Sequence, residues 1–245
     1  ALFIIGKKTL TEGLRILGAH IDSPRIDVKQ NPLYEKDGFA LLDTHYYGGI
    51  KKYQWVTIPL ALHGVICKKD GTTEVVNIGE SDKDPIFGIG DLLPHLAADQ
   101  ITKPATKVIE GEDLDVTVGS MPLKEKDKFS VKANILNILK KKYNMEEEDF
   151  VSSEIEIVPA GKARSYGLDS SMVASYGQDD RVCAYTSLKA ILDVENPEFT
   201  SCCILVDKEE IGSVGATGAQ SLFFENTIAR LLNKMGSNSF LDVRM

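Results

Sequence analysis

Apolar and polar positions divide the chain into three stretches. In the first, Phe3–Ile5 and Arg15–Ala19 read as strands around a turn near Thr9–Gly13, with Lys7–Lys8 on the exposed side. The second of these strands delivers His20 to its C-terminal end, where open α/β sheets bind ligands. The middle stretch, 24–164, is mainly β. Ile26–Val28 and Glu154–Val158 alternate, and Trp55–Ala61 is apolar and rich in strand formers. Val65–Cys67 and Glu74–Ile78 flank Lys69–Asp70–Gly71, a hairpin with Asp–Gly at the turn. One helix stands out there: Val131, Ile135, Ile138 and Leu139 fall on one face, and Lys140–Lys142 close it where cations suit the helix dipole. The acidic run Glu146–Asp149 reads as a solvated loop. From 165 the α/β pattern returns. Asp180–Leu192 predicts an amphipathic helix with Val182, Tyr185, Leu188, Ile191 and Leu192 towards one face, ended with the help of Pro197. Ser201–Val206 predicts a short buried strand. Phe224, Ile228, Leu231, Leu232 and Met235 trace a last helix that stops near Gly236.

Composition narrows the class. The chain of 245 residues is long enough for one large or two smaller domains, and 43% hydrophobic residues suffice for a core. A net charge of −8 argues against a general nucleic-acid binder. Cys67, Cys183, Cys202 and Cys203 form no CxxC pair, which points to a reducing compartment without a disulfide framework. No apolar run approaches the ~20 residues that span a membrane. The start carries no signal-peptide pattern, although it begins at Ala1 in mid-pattern, so a preceding segment can hold one.

Candidate chemistry gathers at three element ends. Val206–Asp207–Lys208–Glu209–Glu210 closes a strand, with glycines following at 212, 215 and 218. Leu14–Arg25 runs an apolar strand into His20, with Asp22 two residues on. Ser175–Tyr185 opens a helix at Asp179–Asp180. Taken singly, each has an ordinary explanation: a solvated charged turn, a polar residue after a strand, an N-cap with dipole-favoured charge. Together they offer the His, Asp and Glu donors of a zinc or related divalent site. The glycine spacing lacks the endings of a phosphate loop and excludes nucleotide binding on that motif. Small residues there suit close backbone approach to a metal or substrate. If His20 and Asp179 serve one centre, the β block between them is an insertion.

GAHIDSP (18–24), GQDDR (177–181) and DKEEIGS (207–213), in that order, resemble the aspartyl aminopeptidase family of dinuclear zinc peptidases, particularly its bacterial members. YYGGI (46–50) and GDLLPHLA (90–97) extend the resemblance over nearly the whole chain. It implies an α/β zinc-peptidase-like catalytic domain, 1–23 and 165–245, split by an inserted mainly β dimerisation domain, 24–164. It implies a cytoplasmic metallo-aminopeptidase that removes N-terminal residues from peptides, with two zinc ions or other divalent metals per subunit, in a homo-oligomer built from dimers; the charge and the lack of a spanning apolar run predict no nucleic-acid or membrane partner. His20 then ligates one metal, Asp179 bridges both and Glu210 ligates the other. Glu209 is the general base, Asp22 orients His20, and His95 reaches a neighbouring subunit's site. Asp180 is left between two roles, holding the turn that aims Asp179 or pairing with Arg181. Family members run well past this chain at both ends and take a further Asp and His ligand from their later segment. Asp242 stands too early by motif to be that Asp. Alternatives are a non-catalytic assembly or binding subunit of the same fold, and a metal-dependent carboxypeptidase or deacylase.

Overall fold

The computed structural model describes residues 1–123 and 130–236. The fold is mixed α/β and separates into two compact units. One is Ala1–Ser23 together with the segment from Gly177 onward, and the other is Pro24–Tyr176. The first unit begins with β1 (Leu2–Ile4), a short 3-10 turn over Leu10–Glu12, and β2 (Leu14–His20). That turn is a capping box, in which the Glu12 carboxylate accepts the Thr9 N–H at 2.8 Å.

The inserted unit holds β3 (Arg25–Lys36), β4 (Phe39–Tyr47), β5 (Leu60–Cys67), β6 (Thr73–Ile78), β7 (Val116–Gly119), α1 (Ser130–Tyr143), β8 (Ser153–Pro159), β9 (Arg164–Tyr166) and β10 (Met172–Ala174). Six of these strands form one sheet in the order β6-β5-β8-β3-β4-β7, with antiparallel pairings throughout. Its core is Ile26, Leu60, Ile66, Leu114, Val116 and Ile157, all fully buried. The Asp–Gly turn lies between β5 and β6 as the sequence predicts. Gly71 takes φ +84°, and Asp70 Oδ1 accepts the Thr72 N–H at 2.9 Å. Trp55–Ala61 is strand only from Leu60: Thr57 has φ +63°, Pro59 has no N–H to give, and Trp55 and Val56 are buried by packing instead of pairing. In α1, Val131, Ile135 and Leu139 face the core, joined by Leu136 and Tyr143. At 3.6 residues per turn this face centres between Ile135 and Leu139 and leaves Ile138 at its edge, exposed. The separate hairpin β9–β10 belongs to this unit, so the chain re-enters the first unit at Gly177, later than the 165 read from the sequence.

The first unit resumes with α2 (Gln178–Leu192), β11 (Thr200–Val206) and α3 (Phe223–Lys234). Its sheet order is β1-β11-β2, with β11 antiparallel to β1 and parallel to β2. Cys202 and Cys203 are buried in the central strand, and burial, followed by the neighbouring Cys203, pushes the Cys202 thiol up to about 11. In α3, Ile228 and Leu232 pack on Leu10. The predicted face of α2 is corrected: Ala184 and Ile191 are buried, while Val182, Tyr185 and Leu192 are exposed.

The loop after β11 is tied to itself, most closely at Gly218. Ser213 N–H bonds the Lys208 carbonyl at 2.7 Å, the Gln220 amide reaches the Gly212 carbonyl at 2.7 Å, and Thr217 Oγ1 donates to Asp207 at 2.9 Å. A Cβ on Gly218 would stand 2.1 Å from the Ser213 carbonyl oxygen, a backbone atom that cannot swing aside. Gly218→Ala is expected to destabilise the protein by ~1–3 kcal/mol, whereas Gly49→Ala, where a Cβ meets nothing within 4 Å, stays within ~0.5 kcal/mol of wild type. Urea midpoints at unchanged slope measure both.

Candidate metal centre

The site is built on the parallel pair β2–β11. Register sets His20 opposite Val206, and the Ile21 N–H bonds the Val206 carbonyl at 2.8 Å, so both chains leave the sheet at one end. Past that point Lys208 takes φ +66° and Glu209–Ile211 form a 3-10 turn. The first N–H groups of such a turn have no partner within it. Asp22 supplies one: Oδ1 accepts the Glu209 N–H and Oδ2 the Glu210 N–H, each at 3.1 Å. This carboxylate is 1% exposed.

His20 is fixed by its own neighbours. Nδ1 lies 2.9 Å from the Asp22 main-chain carbonyl, which can only accept, so the ring donates from Nδ1 and presents Nε2. Nε2 is 3.1 Å from Asp179 Oδ1 and 3.9 Å from Glu209 Oε2. A neutral ring would turn a lone pair on that carboxylate, so the contact needs a proton or a cation between the two atoms. Burial acts first on the imidazole and lowers its pKa. The hydrogen bonds to Asp22 and Asp179, with the charges of Asp180 and Glu209, outweigh it and raise the pKa above the ordinary value. Burial raises the Glu210 carboxyl; His20 opposes this, and the Glu209, Asp179 and Asp22 carboxylates add to it.

His20, Asp179 and Glu210 each offer one ligand atom, and these atoms all lie within 4.8 Å of one another. Imidazole nitrogen with carboxylate oxygens is a donor set that zinc accepts. A divalent cation in place of the shared proton also offsets crowding of acids that otherwise favours their neutral forms. The residues fit a metal.

The other sequence candidates fall as follows. Glu209 stands beside the three, its side chain 53% exposed. The sequence reading has Asp22 orient His20. The hydrogen bond to the ring comes from the Asp22 carbonyl, while its carboxylate Oδ1 sits 3.4 Å from Nδ1 and is turned to the 209–210 amides. Asp180 accepts the His20 main-chain N–H, Oδ2 at 3.3 Å. Asp179 and Asp180 have non-helical backbone angles and are joined by a cis peptide bond. His20, Asp180, Val206 and Glu209 line an open cavity of about 420 Å³ in this unit. His95 belongs to the other unit, on an exposed segment, and Asp242 lies outside the described residues. Sequence reasoning missed Ser23, whose hydroxyl donates to the Asp179 carbonyl at 3.2 Å, and Cys183, whose thiol pKa the neighbouring Asp180 raises. A serine and a cysteine near a motif carry no signal that separates them from ordinary surface residues.

Comparison with known proteins agrees with this chemistry. The profile of the family described as "Aminopeptidase I zinc metalloprotease (M18)" matches residues 1–245. The "Probable M18 family aminopeptidase 1" of Clostridium acetobutylicum is 62% identical over 244 residues, covering 99% of this chain and 52% of its own length. The crystal structure of aminopeptidase I from Clostridium acetobutylicum is similar with a TM-score of 0.90 at 60% identity, covering 98% of this chain and 53% of that one. That of the M18 family aminopeptidase from Thermotoga maritima gives 0.91 at 45% identity, covering 98% of this chain and 56% of that one. The chain spans about half the length of the relatives it matches.

The two amides held by Asp22 generate a prediction. Asp22→Asn keeps the size but leaves one acceptor oxygen for two donors. Its expected effect is a loss of ~1–3 kcal/mol, the usual result of stranding a buried donor. Chemical denaturation of the metal-free protein measures it, and an unchanged midpoint would show that the 209–210 turn does not depend on this carboxylate.

Proposed function

The chain belongs to the aminopeptidase I zinc metalloprotease family (M18), and on that premise we propose that the protein is a metallo-aminopeptidase that hydrolyses N-terminal residues from peptides with a dinuclear zinc centre. The observation that carries this reading is the convergence of ligand atoms from His20, Asp179 and Glu210 within 4.8 Å, out of three separate sequence segments. His20 through Nε2, Asp179 and Glu210 would hold the metal. Bound metal supplies Lewis acidity and lowers the pKa of water to the physiological range. Three protein ligands do not by themselves complete two sites that take about four each, water included.

Glu209 has the proton-transfer role. Its carboxylate is outside the ligand trio, reaches to 3.9 Å from His20 Nε2 and is half exposed, so it keeps a free lone pair facing the site. It takes a proton from the attacking water and returns it to the departing amine. Two buried thiols, Cys202 and Cys203, support a cytoplasmic protein. The subunits assemble as a homo-oligomer built from dimers, with the inserted unit as the dimerisation element. The exposed apolar side chains Leu92, Leu93 and Leu96 around His95 support a surface that another subunit covers.

In the full-length protein, Glu209→Gln is expected to lower turnover by ~10²–10⁴-fold or more with metal content unchanged, and Glu210→Ala to lose metal. Elemental content beside peptide hydrolysis separates the two, and the opposite pattern reverses the roles. A substrate with a blocked amine should not be cleaved; cleavage would favour a deacylase or carboxypeptidase.

His95 donates a hydrogen bond to substrate or developing oxyanion in the partner's site, and losing one such donor costs ~10²–10³-fold in rate. Mixing tests this. Subunits carrying His95→Ala and Glu209→Gln are each expected to be inactive alone and partly active when co-expressed, because one mixed site has both groups intact. No recovery places His95 within its own subunit, and full activity of His95→Ala removes it from catalysis.

A further inference from the structure

Asp180 stands next to a ligand and touches neither of the other two ligand side chains through any described contact. What it does touch is main chain. Oδ2 accepts the His20 N–H at 3.3 Å, across 160 positions of sequence. The same carboxylate stands near Cys183, three residues on in the first turn of α2, and each shifts the other's pKa. The regular helix begins after Asp180, whose own φ −111° and ψ 29° are non-helical, so this residue stands at the N-cap position of the regular helix. The cap has spare acceptor capacity, since a carboxylate has about four lone-pair sites. One of them goes to the strand that carries the imidazole.

The neighbouring contacts divide the labour. Asp179 faces the His20 ring at Nε2, 3.1 Å away. Ser23 ties the main chain of Asp179 to the residues after His20 at 3.2 Å. Asp180 ties the main chain of His20 to the start of α2. The ring is therefore held at Nδ1 by the Asp22 carbonyl and its backbone at N by Asp180. Fixing both the ring and the residue that carries it sets where Nε2 stands relative to the Asp179 and Glu210 oxygens.

We propose that Asp180 is a positioning residue for the metal centre: it couples the helix start that carries Asp179 to the main chain of His20, and sets metal affinity without ligating the ion. This rests on the metal-site part of the function proposed above and not on peptide hydrolysis. A helix cap alone would affect stability. Positioning of a ligand affects metal affinity, typically by ~10–100-fold when a supporting partner is removed.

The two roles separate by side-chain length. Serine is as good an N-cap as aspartate, but is one atom shorter and cannot also reach the His20 N–H. Asparagine keeps an oxygen where Oδ2 stands. The test uses the full-length protein, zinc alone as the probe, and competition against a chromophoric chelator. Asp180→Ser is expected to weaken zinc binding by ~10–100-fold while the urea midpoint of the metal-free protein stays close to wild type. Asp180→Asn is expected to restore most of the affinity. Amide hydrogen exchange gives a second reading: in metal-free protein the His20 N–H should exchange slowly in wild type and Asp180→Asn, and faster in Asp180→Ser. Wild-type zinc affinity in Asp180→Ser overturns the proposal. So does an Asp180→Asn variant as weak as Asp180→Ser, or a His20 N–H that exchanges equally in all three. If Asp180→Ser does not fold, Asp180→Asn with slow His20 exchange and retained affinity supports the proposal, and fast exchange with retained affinity overturns it. A protein that binds zinc in this pattern but cleaves no peptide refutes the aminopeptidase reading and leaves the role of Asp180 standing.

Discussion

One buried carboxylate holds the site together. Asp22 follows the end of β2, and each of its oxygens accepts one amide from the turn after β11. Burying a charge is costly unless it is well hydrogen-bonded, and here the donors are backbone groups that the 3-10 turn leaves open. The two needs meet in one contact. Its consequence is geometric, since the same residue offers its main-chain carbonyl to His20 Nδ1 at 2.9 Å. The imidazole and both glutamates are thus referred to a single residue, and the parallel pairing of His20 with Val206 brings their strands together beforehand.

The site survives a large interruption of the chain. His20 and Asp179 are 159 positions apart, and the Pro24–Tyr176 unit intervenes. Loop-closure entropy grows only as the logarithm of length, by ~0.6 kcal/mol per doubling, so insertion of a unit with its own core is tolerated. This unit also brings its two ends together. The Tyr176 hydroxyl donates to the Pro24 carbonyl at 2.7 Å, and Trp55 meets the Tyr176 ring edge-on at 6.4 Å. A folded insert whose first and last residues are hydrogen-bonded acts as a short connection. Pairing of β2 with β11 is still a contact between distant segments, and such contacts form late because loop entropy must be met before they reward it.

Much of this was legible in the residues, for reasons that differ by position. The strand ends at His20 and Val206 and the Asp70–Gly71 turn were readable because burial alternation and turn chemistry are local. The gathering of acids and histidine at element ends was readable as chemistry, and the resemblance supplied the order of the motifs. The outward face of α2 was not readable. Periodicity reports which residues share a helix face, and the sheet beneath decides how wide a stripe is buried. The contact between Asp180 and β2 was not readable either. An Asp before a helix caps it, and only the approach of β2 reveals that its carboxylate also receives the His20 N–H. The close approach of Gly218 to Ser213 was not readable, because an approach of the loop to itself leaves the same mark in sequence as an approach to something bound.

Adjacent glutamates at 209 and 210 acquire different surroundings from the backbone that presents them. On a continued strand they would point to opposite faces. The positive φ at Lys208 ends the strand, and the 3-10 turn then advances about a third of a turn per residue. Both side chains stay near one rim, at different depths. Glu210 is partly buried, and burial raises its carboxyl pKa, an effect that a cation reverses. Glu209 is half exposed and shares no ligand atom with the trio. A ligand suits the first environment because desolvation strengthens its attraction to a cation. A proton carrier suits the second because access to water lets it release what it takes up. The separation of environments follows from where the strand ends, and that end is held by the two amides on Asp22.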